Sequence, residues 1–287
     1  MAAKVRNRKG MYRYLTFGLL TLLFTISMAV TAFGGQYEDA TAAYKRGDYE
    51  EAYRLIKPLA EQGYAKAQYN LALTYEYGRG VPQDYAKAVK WYRRAAEQEL
   101  PEAQITLGFM YYKGRGVPQD YAKAVKWYRR AAEQEIPEAQ YNLALMYDYG
   151  RGVPQDYAEG VKWNRRAAEQ GHAKAQYNVG FSYENGQGVL QDYAEAVKWY
   201  RRAAEQGQAD AQNNLASKFY KGQGVSQNYI LAYMWFNLAA SRVPASEKEK
   251  RNDAVNNRDL VASMMTPAQI AEAERLAREW KPKKEGK

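Results

Sequence analysis

The amino-acid sequence predicts an all-α protein, a right-handed α/α solenoid (a superhelix) of stacked helical hairpins. Three observations predict this fold class. The 287-residue chain repeats itself every 36 residues through most of its length. Each copy carries apolar residues at the spacing of two amphipathic helices, and glycines separate the two helices. One hairpin of this size cannot bury its apolar face alone, so consecutive copies must stack.

Residues 1–35 are expected to form a signal peptide or an N-terminal membrane anchor. Five cations within residues 1–13 precede the uncharged run of residues 14–35, whose core reads LTFGLLTLLFTISMAV and which ends in small residues. This order is typical of a secretory signal, although the run is also long enough to span a bilayer. Both alternatives place the body of the chain outside the cytoplasm, either periplasmic or secreted. It would contact a membrane only through residues 14–35, and only if they are not cleaved.

The remainder of the chain divides by its repeats. Residues 36–64 resemble a shorter helix pair and are expected to cap the front of the stack. Residues 243–287 are expected to form C-terminal capping helices and a basic tail. The five copies between them occupy residues 65–242. They are residues 65–100, 101–136, 137–172, 173–208 and 209–242.

The first helix of each copy has a packing stripe. In residues 65–77 a helical period places Ala67, Gln68, Leu71, Ala72 and Tyr75 on one face. The glycine that follows in every copy (Gly78 in the first) is the natural left-handed end of a helix.

The second helix is predicted to begin after Asp84, whose carboxylate can accept backbone N–H groups as an N-cap. In two copies a glutamate three residues on predicts a capping box, as in Asp156 with Glu159. Apolar and charged residues fill separate arcs of this helix, so the tryptophans and tyrosines are expected to be core. Arginine pairs on the charged arc form a ladder, which is expected to be a solvated face.

The C-terminal region contains a clear helix start. Thr266, Pro267 and Gln269 have the residue types of an N-cap, N1 and N3. The following apolar stripe runs to Trp280, which predicts a terminal helix that closes the last repeat. The tail KPKKEGK is expected to be disordered.

Several kinds of site are disfavoured by composition. The chain has no cysteine, which excludes disulfides, cysteine-ligated zinc and a lipoprotein anchor, and its single histidine, His172, argues against a histidine metal cluster or a catalytic triad. His172 is expected to be an ordinary surface residue of an inter-repeat turn. The net charge is +10, but five of the cations lie in residues 1–13, so nucleic acid is not an expected partner. No cofactor, metal or catalytic residue is predicted.

A second stripe of the first helix lies opposite its packing face. Positions 66, 70, 73 and 77 fall within about 60° of one another on a helix. The position of Leu73 is expected to serve packing between repeats. Its neighbours hold a row of asparagines, Asn70, Asn142, Asn178 and Asn214, and a variable row, Tyr77, Lys113, Tyr149 and Asn185.

The sequence AKAQYNLALTY, followed by GRGVPQDYAKAVKWYRRAAEQ, resembles the Sel-1-like repeats, which are relatives of the tetratricopeptide repeats. The resemblance implies a scaffold that binds proteins and that has no shared catalytic residues. In related tetratricopeptide proteins the first helices line a concave groove, where asparagines hold the backbone of the ligand. The asparagine row is therefore a candidate for ligand contact, with structural bonding between repeats as the alternative, and the variable row is a candidate for specificity.

The function predicted from these features is that of a non-catalytic exported scaffold or adaptor that binds a protein or peptide. Two alternatives remain open. The first is a cell-envelope enzyme, such as a β-lactamase or a wall hydrolase, because some exported relatives have been linked to penicillin binding. The second is a binder of anionic envelope glycans through the arginine ladder, which strong salt dependence would favour.

Overall fold

The computed structural model describes residues 35–283, and their regular structure is entirely helical. The prediction of an all-α fold made of stacked helical hairpins is confirmed. The fourteen helices within this range are α1 (35–45), α2 (Tyr49–Glu61), α3 (Ala65–Tyr77), α4 (Tyr85–Glu97), α5 (Pro101–Lys113), α6 (Tyr121–Glu133), α7 (Pro137–Asp148), α8 (Tyr157–Glu169), α9 (Ala173–Asn185), α10 (Tyr193–Glu205), α11 (Ala209–Lys221), α12 (Tyr229–Arg242), α13 (Lys248–Ala262) and α14 (Pro267–Glu279).

The chain divides into two compact units, residues 1–119 and 120–287. In the first unit α2 to α5 pack in succession along the chain, and in the second unit α6 to α13 do the same, while α14 packs against α12. The odd-numbered helices α3 to α11 are the first helices of the repeats, and the even-numbered helices α4 to α12 are the second helices. The predicted signal or anchor segment lies outside the described residues, apart from residue 35.

A row of buried glutamines ties each hairpin to the one before it. These glutamines are Gln68, Gln104, Gln140, Gln176 and Gln212. Each Nε2 donates to the backbone carbonyl eight residues earlier, at 3.0–3.3 Å, in the last turns of the preceding even-numbered helix. In Gln68, Gln140 and Gln176 the Oε1 also accepts a hydrogen bond from the glutamine 30 residues later in the same repeat, at 2.8–2.9 Å. Buried amides need such partners, so these bonds fix the register of neighbouring repeats.

The second helices begin as predicted. Asp84, Asp120, Asp156 and Asp192 are N-caps whose carboxylates accept backbone N–H groups of the first turn. The predicted capping boxes are not formed in these helices. The backbone N–H of Asp156 already donates to the carbonyl of Tyr147 at 3.0 Å, so it is not available to Glu159. Glu159 pairs instead with Lys162 at 3.0 Å.

Two kinds of backbone position have a left-handed conformation at the turns. The second glycine of each loop, such as Gly80 with φ 76°, lies so close to the previous repeat that a β-carbon there would collide with the carbonyl of Tyr49. Glu99 and Glu135 have φ of 61° and 60° at the turns between repeats, where other copies have glycine. Such a conformation costs a non-glycine residue about 1–2 kcal/mol. Each glutamate accepts a hydrogen bond from the buried glutamine of the following repeat, at 2.9 and 3.0 Å.

The aromatic residues of the second helices divide into two groups. Trp127, Trp163 and Trp235 are buried, and the other two tryptophans of this row are half-buried. The tyrosines that open these helices are half-buried or exposed, as in Tyr157, because they pack beneath the loop of the following repeat on one side only. The expectation that these tyrosines are core was therefore wrong.

The C-terminal helices close the second unit. Thr266 and Gln269 form the predicted capping box of α14, with bonds of 2.8 and 3.3 Å. Trp280 packs edge-on against Trp235 at a centroid distance of 6.0 Å. Lys283 contacts Glu205 through both its backbone and its ammonium group. This part of the tail is thus held by α10, although it was expected to be disordered.

Candidate functional site

The candidate asparagines are half-buried on the first helices, and they fall into two pairs. Asn70 donates to the hydroxyl of Tyr37 at 2.9 Å, and Asn214 donates to that of Tyr200 at 3.1 Å. Within residues 35–283, the side-chain amides of Asn142 and Asn178 have no hydrogen-bonding partner. The amides of Asn70 and Asn214 therefore have structural contacts. Those of Asn142 and Asn178 each leave a donor and an acceptor free for a ligand.

The variable row lies at the C-terminal ends of the first helices and is exposed. Tyr77 and Tyr149 have 56% and 63% of their surfaces exposed. The guanidinium groups of Arg79 and Arg151 lie over these two rings, both at 5.2 Å from the centroid. Their rings are therefore held in place while one side remains accessible.

The other two residues of the variable row are polar. The ammonium group of Lys113 lies 5.4 Å from the ring of Tyr112 and 5.9 Å from that of Phe109. Asn185 donates to the carbonyl of Phe181 at 2.9 Å. Binding of a ligand by either row stays a prediction.

Two exposed aromatic residues were missed because their position was assigned to packing between repeats. Phe109 and Phe181 are 38% and 40% exposed, whereas Leu73 and Leu145, at the same position in other copies, are half-buried. The alternation of leucine and phenylalanine was the available signal, because a larger ring projects further from the same backbone site.

A groove of about 430 Å³ lies between α7 and α9 in the second unit. It contains two of the candidate residues, Tyr149 and Asn178, together with the exposed Phe181. Its other lining residues are Tyr141, Leu145, Asp148, Gln155, Tyr157, Tyr177, Ser182 and Gln187. The groove combines aromatic walls with several amide groups and a single carboxylate, and these groups are suited to holding a polar or cationic side chain.

The carboxylate of the groove is that of Asp148, the last residue of α7. Its Oδ2 accepts a long hydrogen bond of 3.4 Å from Asn164 of α8. Its Oδ1 occupies space left by Gly160, where a β-carbon would collide with it. Burial raises the pKa of Asp148 to about 6, and the bond from Asn164 offsets this only in part.

The equivalent glutamates of two other repeats are better paired. Glu184 accepts from Tyr200 at 2.6 Å and forms an ion pair with Lys218, whose side chain is 2% exposed. In the first unit Glu76 accepts from Tyr92 at 2.5 Å and pairs with Arg115 at 3.6 Å. Asn164 stands where these repeats have the tyrosine, and its Oδ1 is buried without a partner among the described residues.

The arginine ladder is occupied by contacts within the chain. One arginine of each pair lies over the tryptophan three residues earlier; Arg166, for example, is 4.8 Å from the centroid of Trp163. The other contacts an aromatic side chain of the following repeat, as when Arg129 donates to the hydroxyl of Tyr147 at 2.7 Å. These contacts reduce the number of guanidinium groups free to meet an anionic polymer.

His172 has a structural role and is not an ordinary surface residue. It is half-buried at the N-cap of α9, where its Nδ1 accepts from the backbone N–H of Ala175 at 3.2 Å. Its ring lies 4.8 Å from that of Tyr141, and burial lowers its pKa.

Comparison with known families identifies repeated units along the chain. The Sel1 repeat model matches residues 35–64, 65–100, 101–135, 137–172, 173–208 and 209–242. Five of these six correspond to the five copies read from the sequence. The remaining match, residues 35–64, is the front segment that was expected to act as a cap. No helix within residues 35–283 has the length and apolar character required to cross a membrane.

Two solved structures are similar over most of the chain. One is a protective antigen present in uropathogenic Escherichia coli strains that displays an SLR fold, with 36% identity, a TM-score of 0.74, and coverage of 86% of this chain and 53% of that one. The other is a Sel1 repeat protein from Oxalobacter formigenes, with 34% identity, a TM-score of 0.69, and coverage of 74% and 87%.

A curated relative is the DAP3-binding cell death enhancer 1 of Mus musculus, which is 44% identical over 63 residues. That match covers 22% of this chain and only 11% of the relative.

Proposed function

The chain belongs to the Sel1 repeat family, and from this membership we propose that it is a non-catalytic scaffold or adaptor that binds a protein or peptide on the face formed by its first helices. Proteins of this family are commonly protein-interaction scaffolds. The observation that carries the proposal is the pair of unpaired amides, Asn142 on α7 and Asn178 on α9, of which Asn178 lines one groove with the exposed rings of Tyr149 and Phe181.

The chemistry of this face suits an extended peptide. A side-chain amide offers both a donor and an acceptor, so it can pair with a peptide backbone whatever the sequence of the peptide. Exposed aromatic rings bury large areas on association and are common anchors of interfaces. The second helices offer fewer free side chains to a ligand, because most of their arginine and aromatic side chains already contact other side chains of the chain.

The names of the relatives are consistent with this proposal but do not identify a partner. The mouse protein is named for binding DAP3. Its similarity covers about two repeats, which supports protein binding as a general role of such repeats and not DAP3 as the ligand.

We propose in addition that the protein acts outside the cytoplasm. The support is the order of basic, apolar and small residues in residues 1–35. Fractionation of cells that produce a C-terminally tagged chain tests this proposal. The tagged protein is expected in the periplasm or medium, or held by its N-terminus, and full-length protein in the cytosol would contradict export.

The binding proposal is tested with a displayed library of random peptides selected against the pure full-length protein. Changing Asn142 and Asn178 together to Ala is expected to weaken the selected peptides at least tenfold, about 1.4 kcal/mol. The melting temperature should change little, because these amides have no hydrogen-bonding partner within residues 35–283.

Two matched variants complete the experiment. Asn214→Ala, which removes the bond to Tyr200, is expected to lower the melting temperature more than the double variant does. Arg129→Ala, on the second-helix face, should leave peptide affinity unchanged. A double variant that binds normally but melts much earlier would show that the middle asparagines are structural.

A further inference from the structure

Repeats 173–208 and 209–242 together form a complete internal site for an ammonium group. The Nζ of Lys218, on the next first helix, pairs with Glu184, donates to Gln223 at 3.1 Å, and lies 4.9 Å from the centre of the Tyr193 ring. An acid, an amide oxygen and an aromatic face thus surround one cation. These contacts allow the side chain to be buried while charged.

Repeat 137–172 has the same surroundings but lacks the cation. Thirty-six residues earlier in the sequence, Glu184 becomes Asp148, Tyr193 becomes Tyr157, Gln223 becomes Gln187, and Lys218 becomes Ser182. All four of these earlier residues line the groove of about 430 Å³. The serine leaves open the volume that the lysine chain fills in the next repeat.

The first unit shows that the cation can be supplied from a different position. Arg115 pairs with Glu76 at 3.6 Å and lies 5.2 Å from the centre of the Tyr85 ring. Arg115 occupies the position of Gln187. Both positions that supply a cation to the other acids are uncharged beside Asp148, where they hold Ser182 and Gln187 of the following repeat.

We propose that this groove binds the side chain of a lysine from the protein partner, with Asp148 as its counter-ion, Tyr157 as its aromatic face and Gln187 as its amide acceptor. The proposal rests on the protein-binding function proposed above and names the chemistry that one of its contact points recognises. The bond from Gln155 Nε2 to the Asp148 carbonyl, at 2.7 Å, and a second to the Tyr157 hydroxyl, at 2.9 Å, hold two of the three groups in place. The partner's lysine would enter the space that Ser182 leaves open.

The choice of lysine follows from the internal template. Lys218 reaches Glu184 from the helix position that Ser182 occupies here, so the open volume has the shape of an extended lysine chain. An ammonium group also fits one short carboxylate, whereas a guanidinium group prefers two parallel contacts. The remaining ionisable side chains that line the groove are tyrosines, and Arg151 lies beyond Tyr149 at its edge.

Binding is measured by fluorescence anisotropy with three labelled peptides that differ at one central residue. The central residue is lysine, arginine or norleucine, and glycine and serine flank it in all three. The full-length protein is expected to bind the lysine peptide at least fivefold more tightly than the norleucine peptide at pH 7.5. Affinity for the lysine peptide should fall about tenfold at pH 5, because burial raises the pKa of Asp148 to about 6 and only about a tenth of its carboxylates are then ionised.

Two variants separate recognition from folding. Asp148→Asn should abolish the preference for lysine without lowering the melting temperature. Ser182→Lys should place an ammonium group of the chain itself in the groove, which blocks the lysine peptide and raises the melting temperature at pH 7.5. Lys90→Ala, at an exposed position of α4 in the first unit, is the control and should leave binding of the lysine peptide unchanged.

Equal affinity for the lysine and norleucine peptides, or equal affinity of the wild type and Asp148→Asn for the lysine peptide, would overturn the proposal. Either result would be compatible with the proposed scaffold function if the affinity of the selected peptides still depends on Asn142 and Asn178. Tighter binding of the arginine peptide than of the lysine peptide would overturn the choice of cation.

Discussion

The second helices and the first helices of the repeats differ in how much their sequences vary. Helices α4 and α6 have the same sequence, YAKAVKWYRRAAE, and α10 differs from it by one residue. The first helices share their N-terminal halves but diverge after the buried glutamine, ending in TYEY, MYYK, MYDY, SYEN and KFYK. Helices α4, α6 and α10 are nearly constant because their tryptophans, tyrosines and arginines contact other side chains of the chain, whereas α8 departs at Gly160 and Asn164 and α12 has a different sequence. The first helices vary where their side chains face a neighbouring repeat or an open surface.

The strongest test of this difference is a truncation in a second helix. Trp127 is buried on α6, so Trp127→Ala is expected to reduce the free energy of unfolding by about 3–5 kcal/mol. Arg130→Ala, which removes only the guanidinium group 5.0 Å from the same ring, is expected to cost about 1 kcal/mol or less. Urea unfolding of both variants measures the two costs, and similar midpoints would show that the faces of this helix are wrongly assigned.

A smaller effect is expected where a variable first-helix position is used for internal pairing. Lys218→Met removes the partner of Glu184 and should destabilise the protein by about 2–3 kcal/mol, because a largely buried carboxylate then lacks its counter-ion. Lys221→Met, at the exposed end of the same helix, is the control and should change stability by less than about 0.5 kcal/mol. The double variant Lys218→Met with Glu184→Gln should recover much of the lost free energy of unfolding, as measured by urea unfolding. If it recovers none, packing and not charge accounts for the contribution of Lys218.

The smallest effect is expected at the unpaired acid. The folded-state pKa of Asp148 is raised to about 6, so its protonated form stabilises the fold below about pH 4, and this contribution is lost as pH rises through 6. Asp148→Asn should therefore be more stable than the wild type by about 1–2 kcal/mol at pH 7.5. The difference should disappear at pH 4, as measured by urea unfolding at both values. A difference that does not depend on pH would mean that the charge of Asp148 is not the cause.

Much of the fold could be predicted because the chain repeats itself. Five copies show which positions keep their residue, and a helical period then assigns Leu71 and its equivalents to the core. The aspartate caps and the helix start at Thr266 were predictable because both depend on residues within one turn. The failed capping boxes show the limit of this local reasoning, since the backbone N–H of Asp156 is taken by Tyr147 of the preceding helix.

The groove was less predictable, because its parts lie 30 to 40 residues apart in the sequence. Tyr149 and Asn178 were candidates from helix geometry together with the resemblance to tetratricopeptide proteins, and the structure brings both to one groove. The groove itself depends on three exceptions in two adjacent copies: Gly160 and Asn164 in one, and Ser182 in the next. In the sequence each of these differences is indistinguishable from ordinary variation between copies. Their common relation to Asp148 is seen only in the structure. The exposure of Phe181 likewise depends on how far apart two first helices lie, which the period of one helix does not fix.

The glutamine row has a consequence for how such a chain can change in length during evolution. The second helix of each repeat offers a backbone carbonyl to the buried glutamine of the next repeat, and the repeat's own buried glutamine donates to the repeat before it. A duplicated copy inserted among its neighbours would therefore meet the same bonding groups on both sides. The identical sequences of α4 and α6 are what such a duplication leaves behind. At the last repeat the position 30 residues after Gln212 is Arg242, and the Oε1 of Gln212 is buried without a partner among residues 35–283. Addition of whole copies inside the array therefore keeps the network intact, whereas a copy added after the last one would have to displace α13 and α14, which pack against α12.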